Sequence, residues 1–118
     1  MNSQEPTAAL LAAIIENADR IEAYIGDMSS SAFAADRMLR DAVERCLARL
    51  CEAADQLGPR AAGLAPEQPW DVVAALGLRL RGAHERLGVD EVWSVAIDLL
   101  PGFRTAVSRA LRASGNDG

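Results

Sequence analysis

Lysine is absent from this chain of 118 residues, and all 12 of its basic residues are arginine. Aromatic residues make up only 4% of the chain, so its core has to be built from leucine, alanine, valine and isoleucine. Alanine and leucine are strong helix formers, because they lose little side-chain freedom in a helix. An arginine never loses its proton and offers a planar fork of donors, but the genomic base composition explains a lysine-free chain at least as well.

Positive charge is also in short supply, since the formal net charge is -5. This excess of acid argues against a general nucleic-acid binder, which normally carries a basic surface. A role with nucleic acid would therefore need a local basic patch. The best candidate is the segment RLRGAHER, residues 79–86, where three arginines face one glutamate.

The sequence also has no long apolar run, and its first residues lack the pattern expected of a signal peptide. The longest apolar run, AALLAAII, has eight residues, well short of the roughly 20 that span a bilayer. The polar start MNSQEPT does not resemble a signal peptide. Cys46 and Cys51 lie about 140° apart on a helix and do not form a zinc signature. We therefore expect reduced, semi-buried cysteines, a cytoplasmic protein and no contact with a membrane.

The hydrophobic pattern predicts helices and no strand. A first helix should begin near Thr7 as N-cap, and a second should cover 31–57. The linker 58–69 should be a loop, because it holds three prolines and two glycines. The apolar stripe of the first helix is Leu10, Ile14, Ala18, Ile21 and Ile25; that of the second is Leu39, Val43, Cys46, Leu47, Leu50, Ala54 and Leu57.

A third helix should open at Pro69-Trp70 and finish by Gly88, with Asp90 as the N-cap of the last helix. Pro101-Gly102 should kink that last helix or force it to restart. We expect one all-α domain over 1–118, a bundle of four to five helices with frayed ends at 1–6 and 113–118. The stripes of these two helices are Val72, Val73, Leu76, Leu78, Leu80; and Trp93, Ala96, Ile97, Leu100, Phe103, Val107.

The only histidine, His84, lies among Arg79, Arg81 and Arg86. Such a cluster is either a phosphate-handling site or only the basic end of a helix. An imidazole can act as base and acid near neutral pH, and a guanidinium can bind phosphate oxygens in a bidentate manner. Arg79 and His84 would lie about 140° apart on an unbroken helix, so a working pair needs the helix to end or loosen near Gly82, or needs residues from two chains.

Three stretches together resemble the HepT-like proteins of the HEPN superfamily. They are FAADRMLRDAVERCLARLCEAADQL, PEQPWDVVAALGLRLRGAHERLGVDEVW and DLLPGF, and the resemblance covers nearly the whole chain. The family signature is an arginine, a polar residue, three further positions and a histidine, usually with a tyrosine two residues later. Arg79 and His84 match its arginine and histidine, whereas Leu80 replaces the polar residue and Arg86 replaces the tyrosine.

The resemblance implies a dimeric HEPN-type bundle and a metal-independent ribonuclease toxin, controlled by a minimal nucleotidyltransferase antitoxin. His84 and Arg79 would then be catalytic, Arg81 and Arg86 would aid RNA binding, and no cofactor or metal would take part. In the family the antitoxin adenylylates the tyrosine, which Arg86 cannot replace.

Less specific interpretations remain open. The chain could be a catalytically silent HEPN module that binds a nucleotidyltransferase partner or a nucleotide, or an orphan helical dimer. Trp70 and Trp93 are expected to anchor the core rather than bind a ligand. Glu52 and Asp55 do not complete a di-iron pattern, because Arg81 rather than a glutamate precedes His84 by three positions.

Overall fold

The computed structural model describes residues 6–82 and 86–116, which form helices and loops without a strand. The expected all-α fold is confirmed. The α-helices are α1 (Thr7–Ile25), α2 (Ser30–Ala35), α3 (Arg37–Leu57), α4 (Arg60–Leu64), α5 (Trp70–Arg81), α6 (Val89–Ser94) and α7 (Leu100–Asn116), with a π-helical turn at Val95–Leu99 between the last two.

Helix α1 packs against both α3 and α7, and α5 packs on α3. The predicted stripe of α1 is buried in full, and that of α3 is buried except for Leu39, which is half-buried. In α7, Leu100, Phe103 and Val107 face the same core. The apolar positions therefore predicted the packed faces of α1, α3 and α7 correctly, although Ile97, which was expected in the stripe of the last helix, lies before α7 and is exposed.

The predicted second helix is divided in two by Asp36. The backbone of Asp36 is extended, at φ -104° and ψ 92°, so α2 ends there. Its carboxylate accepts a hydrogen bond from the N–H of Leu39, with Oδ1 3.0 Å away, and thereby caps α3. Asp36 is thus the N-cap of α3, and Phe33 on the separated α2 is fully buried.

Two expectations about the first half of the chain are wrong. Thr7 is the first helical residue of α1 and does not cap it. Its hydroxyl instead accepts a hydrogen bond from Arg60, with Nη1 2.9 Å from Oγ1. Arg60 begins the short helix α4 inside the segment expected to be loop, and it also donates to the carbonyls of Leu57 and Gln56. These bonds satisfy carbonyl groups at the end of α3.

The last helical stretch begins two residues earlier than expected, and its helical winding changes before Pro101. Gly88, not Asp90, is the N-cap of α6. The N–H of Leu100 donates to the carbonyl of Val95, five residues back, so the expected disturbance near Pro101 takes the form of a widened π-turn. Helix α7 then continues to Asn116, beyond the point at which fraying was expected.

The two tryptophans lie against the core, as predicted. The Trp70 indole donates from Nε1 to the carbonyl of Ala65 at 2.8 Å, and its ring contacts Phe103 edge-on, with centroids 5.0 Å apart. The ring centroids of Trp93 and Phe33 lie 5.4 Å apart. Among the described helices, none combines the length and the apolar character needed to cross a bilayer.

Candidate functional site

Helix α5 carries two arginines of the cluster, Arg79 and Arg81, and ends at the second of them. Gly82 has an extended backbone, at φ -76° and ψ 148°, and its N–H closes the last turn on the carbonyls of Leu78 and Arg79. The helix therefore ends before position 84, which meets the condition set for an Arg79–His84 pair. His84 itself, with residues 83 and 85, lies outside the described residues.

The face that α5 turns toward the core is narrower than its apolar pattern predicted. Val73, Leu76 and Gly77 are buried, but Leu78 exposes 66% of its surface and Val72 is also exposed. Two of the five predicted stripe residues therefore lie on the outer surface. Apolar residues at an exposed face next to the candidate site are available for contact with another molecule.

Arg79 reaches from the end of α5 to the first turn of α6. Its Nη1 lies 2.6 Å from Oε2 of Glu91, and its Nη2 lies 3.1 Å from Oε1 of the same carboxylate. Nη2 also donates to the carbonyl of Arg86 at 3.3 Å. Arg79 thus bridges the two described ends of the segment that contains His84.

Glu91 is held from a second side by the backbone. The N–H of Gly88 donates to Oε1 of Glu91 at 2.8 Å, which caps the start of α6. The hydrogen bond from Arg79, followed by that from Gly88, lowers the pKa of the Glu91 carboxyl below its ordinary value. Glu91 is therefore a carboxylate at neutral pH, although it remains exposed to solvent.

Arg86 lies on the far side of the loop and extends toward α3. Its Nη2 is 3.6 Å from Oε1 of Glu44, and 76% of the Arg86 side chain is exposed. Exposed ion pairs at this distance contribute little free energy, so Glu44 does not prevent Arg86 from binding an anion.

Arg81 points away from Arg79. Two positions along a helix differ by about 200°, so Arg79 and Arg81 leave α5 on nearly opposite sides. Nη1 of Arg81 lies 3.9 Å from the point where a Cβ on Gly77 would stand, near Cys51 of α3. Burial raises the pKa of the Cys51 thiol to about 11, and the charge of Arg81 opposes this rise. The structure therefore joins Arg79 with the Arg86 backbone but leaves Arg81 apart.

Leu80, at the position where a polar residue was expected from the resemblance, is half-buried and packs against the core. Cys46 and Cys51 are both free and are more deeply buried than the semi-buried state expected for them.

Sequence reasoning missed Glu91 and Glu44 as partners of the arginines. Asp90 drew attention as a cap, although the spacing of Gly88 and Glu91 is that of an N-cap and the third helical residue, where a glutamate often reaches back. That spacing could have predicted the contact with Gly88. The pairing with Arg79, 12 residues away across a loop, has no local sequence signal.

A cavity of about 430 Å³ lies between α1 and the last helical stretch, where Asp19 forms a bidentate ion pair with Arg104 at the rim. No residue that lines it belongs to the segment 79–91. This groove holds none of the residues that match a chemical motif in the sequence, so we assign the candidate site to the Arg79 region.

A family model described as ribonuclease HepT-like matches residues 14–110. The chain belongs to the HepT-like family. Among curated proteins and among solved structures there is no significant match. The matched range includes the whole of α5, the loop and α6, so the candidate site lies within the HepT-like region.

The two departures from the HepT-like signature have different structural settings. Leu80 faces inward, where it supports the packing of α5, whereas Arg86 is largely exposed. The first substitution is therefore accommodated by the core, and the second places a permanent positive charge at the surface where the family usually has a tyrosine.

Proposed function

We propose that this chain is a metal-independent ribonuclease toxin, with His84 and Arg79 as catalytic residues and Arg81 and Arg86 as aids to RNA binding. The observation that carries the proposal is the span of Arg79 from α5 to the Arg86 carbonyl. Because Arg79 donates to the carbonyl of Arg86, its charge lies close to a residue only two positions after His84, the only histidine of the chain.

The reaction needs a base, an acid and a counter-charge. His84 would take the proton of a 2′-hydroxyl, whose oxygen then attacks the adjacent phosphorus and expels the 5′-oxygen of the next nucleotide. The products are a 2′,3′-cyclic phosphate and a 5′-hydroxyl, so a proton must reach the leaving oxygen. Each chain has one histidine, so this proton would come from His84 of the partner subunit or from water. Arg79 would offset the charge that grows on the phosphate oxygens.

The test is cleavage of RNA by the purified full-length chain in EDTA. We expect 2′,3′-cyclic phosphate ends from the wild-type protein, and a loss of cleavage on the order of 100-fold or more in His84→Ala. Arg109→Ala is the control. Arg109 is an exposed arginine on α7 outside the site, so its loss removes one positive charge from the chain and leaves the candidate site unchanged. Equal activity in His84→Ala and wild type would contradict the role of His84.

A second candidate function is a silent HepT-like module that binds a minimal nucleotidyltransferase. The inward-facing Leu80 and the pairing of Arg79 with Glu91 favour it, because both reduce the polar groups free to contact RNA. Such a module would cut no RNA and arrest no growth on overexpression, yet would co-purify with its partner. Arg86 excludes control by adenylylation at that position, so an antitoxin would have to act by binding.

A further inference from the structure

The guanidinium of Arg79 has little capacity left for a bidentate ligand. Its two terminal nitrogens carry four N–H groups in total. Nη1 donates to Oε2 of Glu91, and Nη2 donates both to Oε1 of Glu91 and to the carbonyl of Arg86. At most one terminal N–H therefore remains for a phosphate, unless Glu91 is displaced.

Displacement of Glu91 is opposed by its own attachments. Its Oε1 accepts a second hydrogen bond from the N–H of Gly88, and its backbone belongs to the first turn of α6. Helix α6 packs on α2 and α3, so the carboxylate is fixed by the body of the bundle rather than by the loop. The Arg79 side chain, with 34% of its surface exposed, is therefore attached to α5 through its own backbone and to α6 through its ion pair with Glu91.

We propose that Glu91 is a positioning residue for the ribonuclease reaction, because it fixes the plane of the Arg79 guanidinium against the backbone of Arg86. This inference rests on the proposed function. Arg79 then acts on the phosphate through its charge and at most one terminal N–H, and not through the bidentate fork that the sequence alone predicted.

The opposite role for a carboxylate at this place is that of a competing counterion, which RNA must displace. The two roles differ in the kinetic constant that they affect. Removal of a positioning group lowers kcat, because the guanidinium spends less time in the productive orientation. Removal of a competing counterion lowers KM and leaves kcat unchanged or raised.

The experiment compares Glu91→Gln with Asp90→Asn in steady-state cleavage of one RNA by the full chain. Both substitutions remove one negative charge from the first turn of α6. Glutamine keeps an oxygen for Gly88 and places an amide N–H₂ against Nη1 of Arg79, where a donor meets a donor. We expect kcat to fall about 10-fold or more in Glu91→Gln without a rise in KM, and to change less than about two-fold in Asp90→Asn.

A second variant separates charge from position. Glu91→Asp keeps the charge but shortens the side chain by one methylene, so we expect a loss of kcat with KM unchanged. A wild-type kcat in Glu91→Asp, or a lowered KM with full kcat in Glu91→Gln, overturns the positioning role.

Nitrogen-15 NMR of the arginine side chains gives a readout that does not need turnover. A guanidinium held by a bidentate carboxylate rotates slowly and shows separate Nη signals. We expect them for Arg79 in wild type and in Asp90→Asn, but not in Glu91→Gln, and equal spectra in all three would contradict the inference. If the wild-type protein cuts no RNA, the proposed function fails and the catalytic meaning of Glu91 fails with it, whereas wild-type cleavage with an unaffected Glu91→Gln overturns this inference alone.

Discussion

Arg79 and Leu80 are neighbours in the sequence, but their side chains lie in different environments. Arg79 binds Glu91 and the carbonyl of Arg86, while Leu80 packs against the core. A residue that packs against the core cannot at the same time contact a phosphate in solvent. The loss of the family's polar residue at position 80 therefore strengthens the packing of α5 and removes one hydrogen-bonding group from the site.

Leu80→Asn tests this assignment. We expect the free energy of unfolding to fall by about 1–2 kcal/mol, because apolar contacts are lost and an amide is partly desolvated. RNA cleavage should not increase, since the new amide would face the core. Urea unfolding and the cleavage assay measure the two quantities.

Leu80→Met is the matched control, with an expected loss of less than about 1.5 kcal/mol, because it keeps an apolar side chain of similar volume. A gain of cleavage in Leu80→Asn at unchanged stability would mean that position 80 faces the site, and would contradict the inward orientation of its side chain.

At the scale of elements, the contact of α5 with α3 sets the direction of the arginines. Gly77 is buried against Cys51, and a Cβ on Gly77 would stand only 3.1 Å from the Cys51 Cβ. That distance is tighter than an ordinary contact, so a side chain at position 77 would push α5 away from α3. Since α5 ends only four residues later, such a shift would also move Arg79 relative to Glu91.

Gly77→Ala and Gly102→Ala form a matched pair for this contact. An alanine in a helix is intrinsically more stable than a glycine by roughly 0.5–1 kcal/mol. Gly102 in α7 has open space around its Cβ position, so Gly102→Ala should raise the free energy of unfolding by that amount. Gly77→Ala should give no gain or a loss, because the new methyl meets Cys51. An equal gain in both variants, measured by urea unfolding, would show that the contact is loose.

At the scale of the whole molecule, charge and assembly matter together. A net charge of -5 disfavours RNA, and two of the three site arginines have a carboxylate partner from another helix. A single chain therefore offers a weak basic site. Two copies that face each other would double the local arginine count and supply the second imidazole, which is the physical reason to propose a dimer.

Leu78 is the side chain with which we test that dimer. It exposes 66% of its surface one residue before Arg79, so a partner chain seated at the site would cover it. Leu78→Glu should convert a dimer to a monomer in sedimentation equilibrium, because a charge would be buried in the interface. Met38→Glu is the control, since Met38 is 82% exposed at the start of α3 and lies outside the site. A dimer that survives Leu78→Glu would exclude this face.

The apolar periodicity was sufficient to predict the helical class and the buried faces of α1, α3 and α7, since burial of a regular stripe depends on spacing along one element. It failed at Asp36 and at the linker. The Asp36 side chain caps α3 at a point where the apolar pattern alone predicted one continuous helix. In the linker, hydrogen bonds from Arg60 support a short helix.

The sequence by itself identified the candidate residues, one imidazole and several permanently charged guanidiniums, by residue type and local spacing, but it predicted a third helix that could run as far as Gly88, whereas α5 ends at Arg81. Only the tertiary structure decided their partners. Glu91 and Glu44 come from other helices, and the direction of each arginine follows from the way α5 lies on α3. Ion pairs across a loop depend on distances in space, and the order of residues along the chain does not specify those distances.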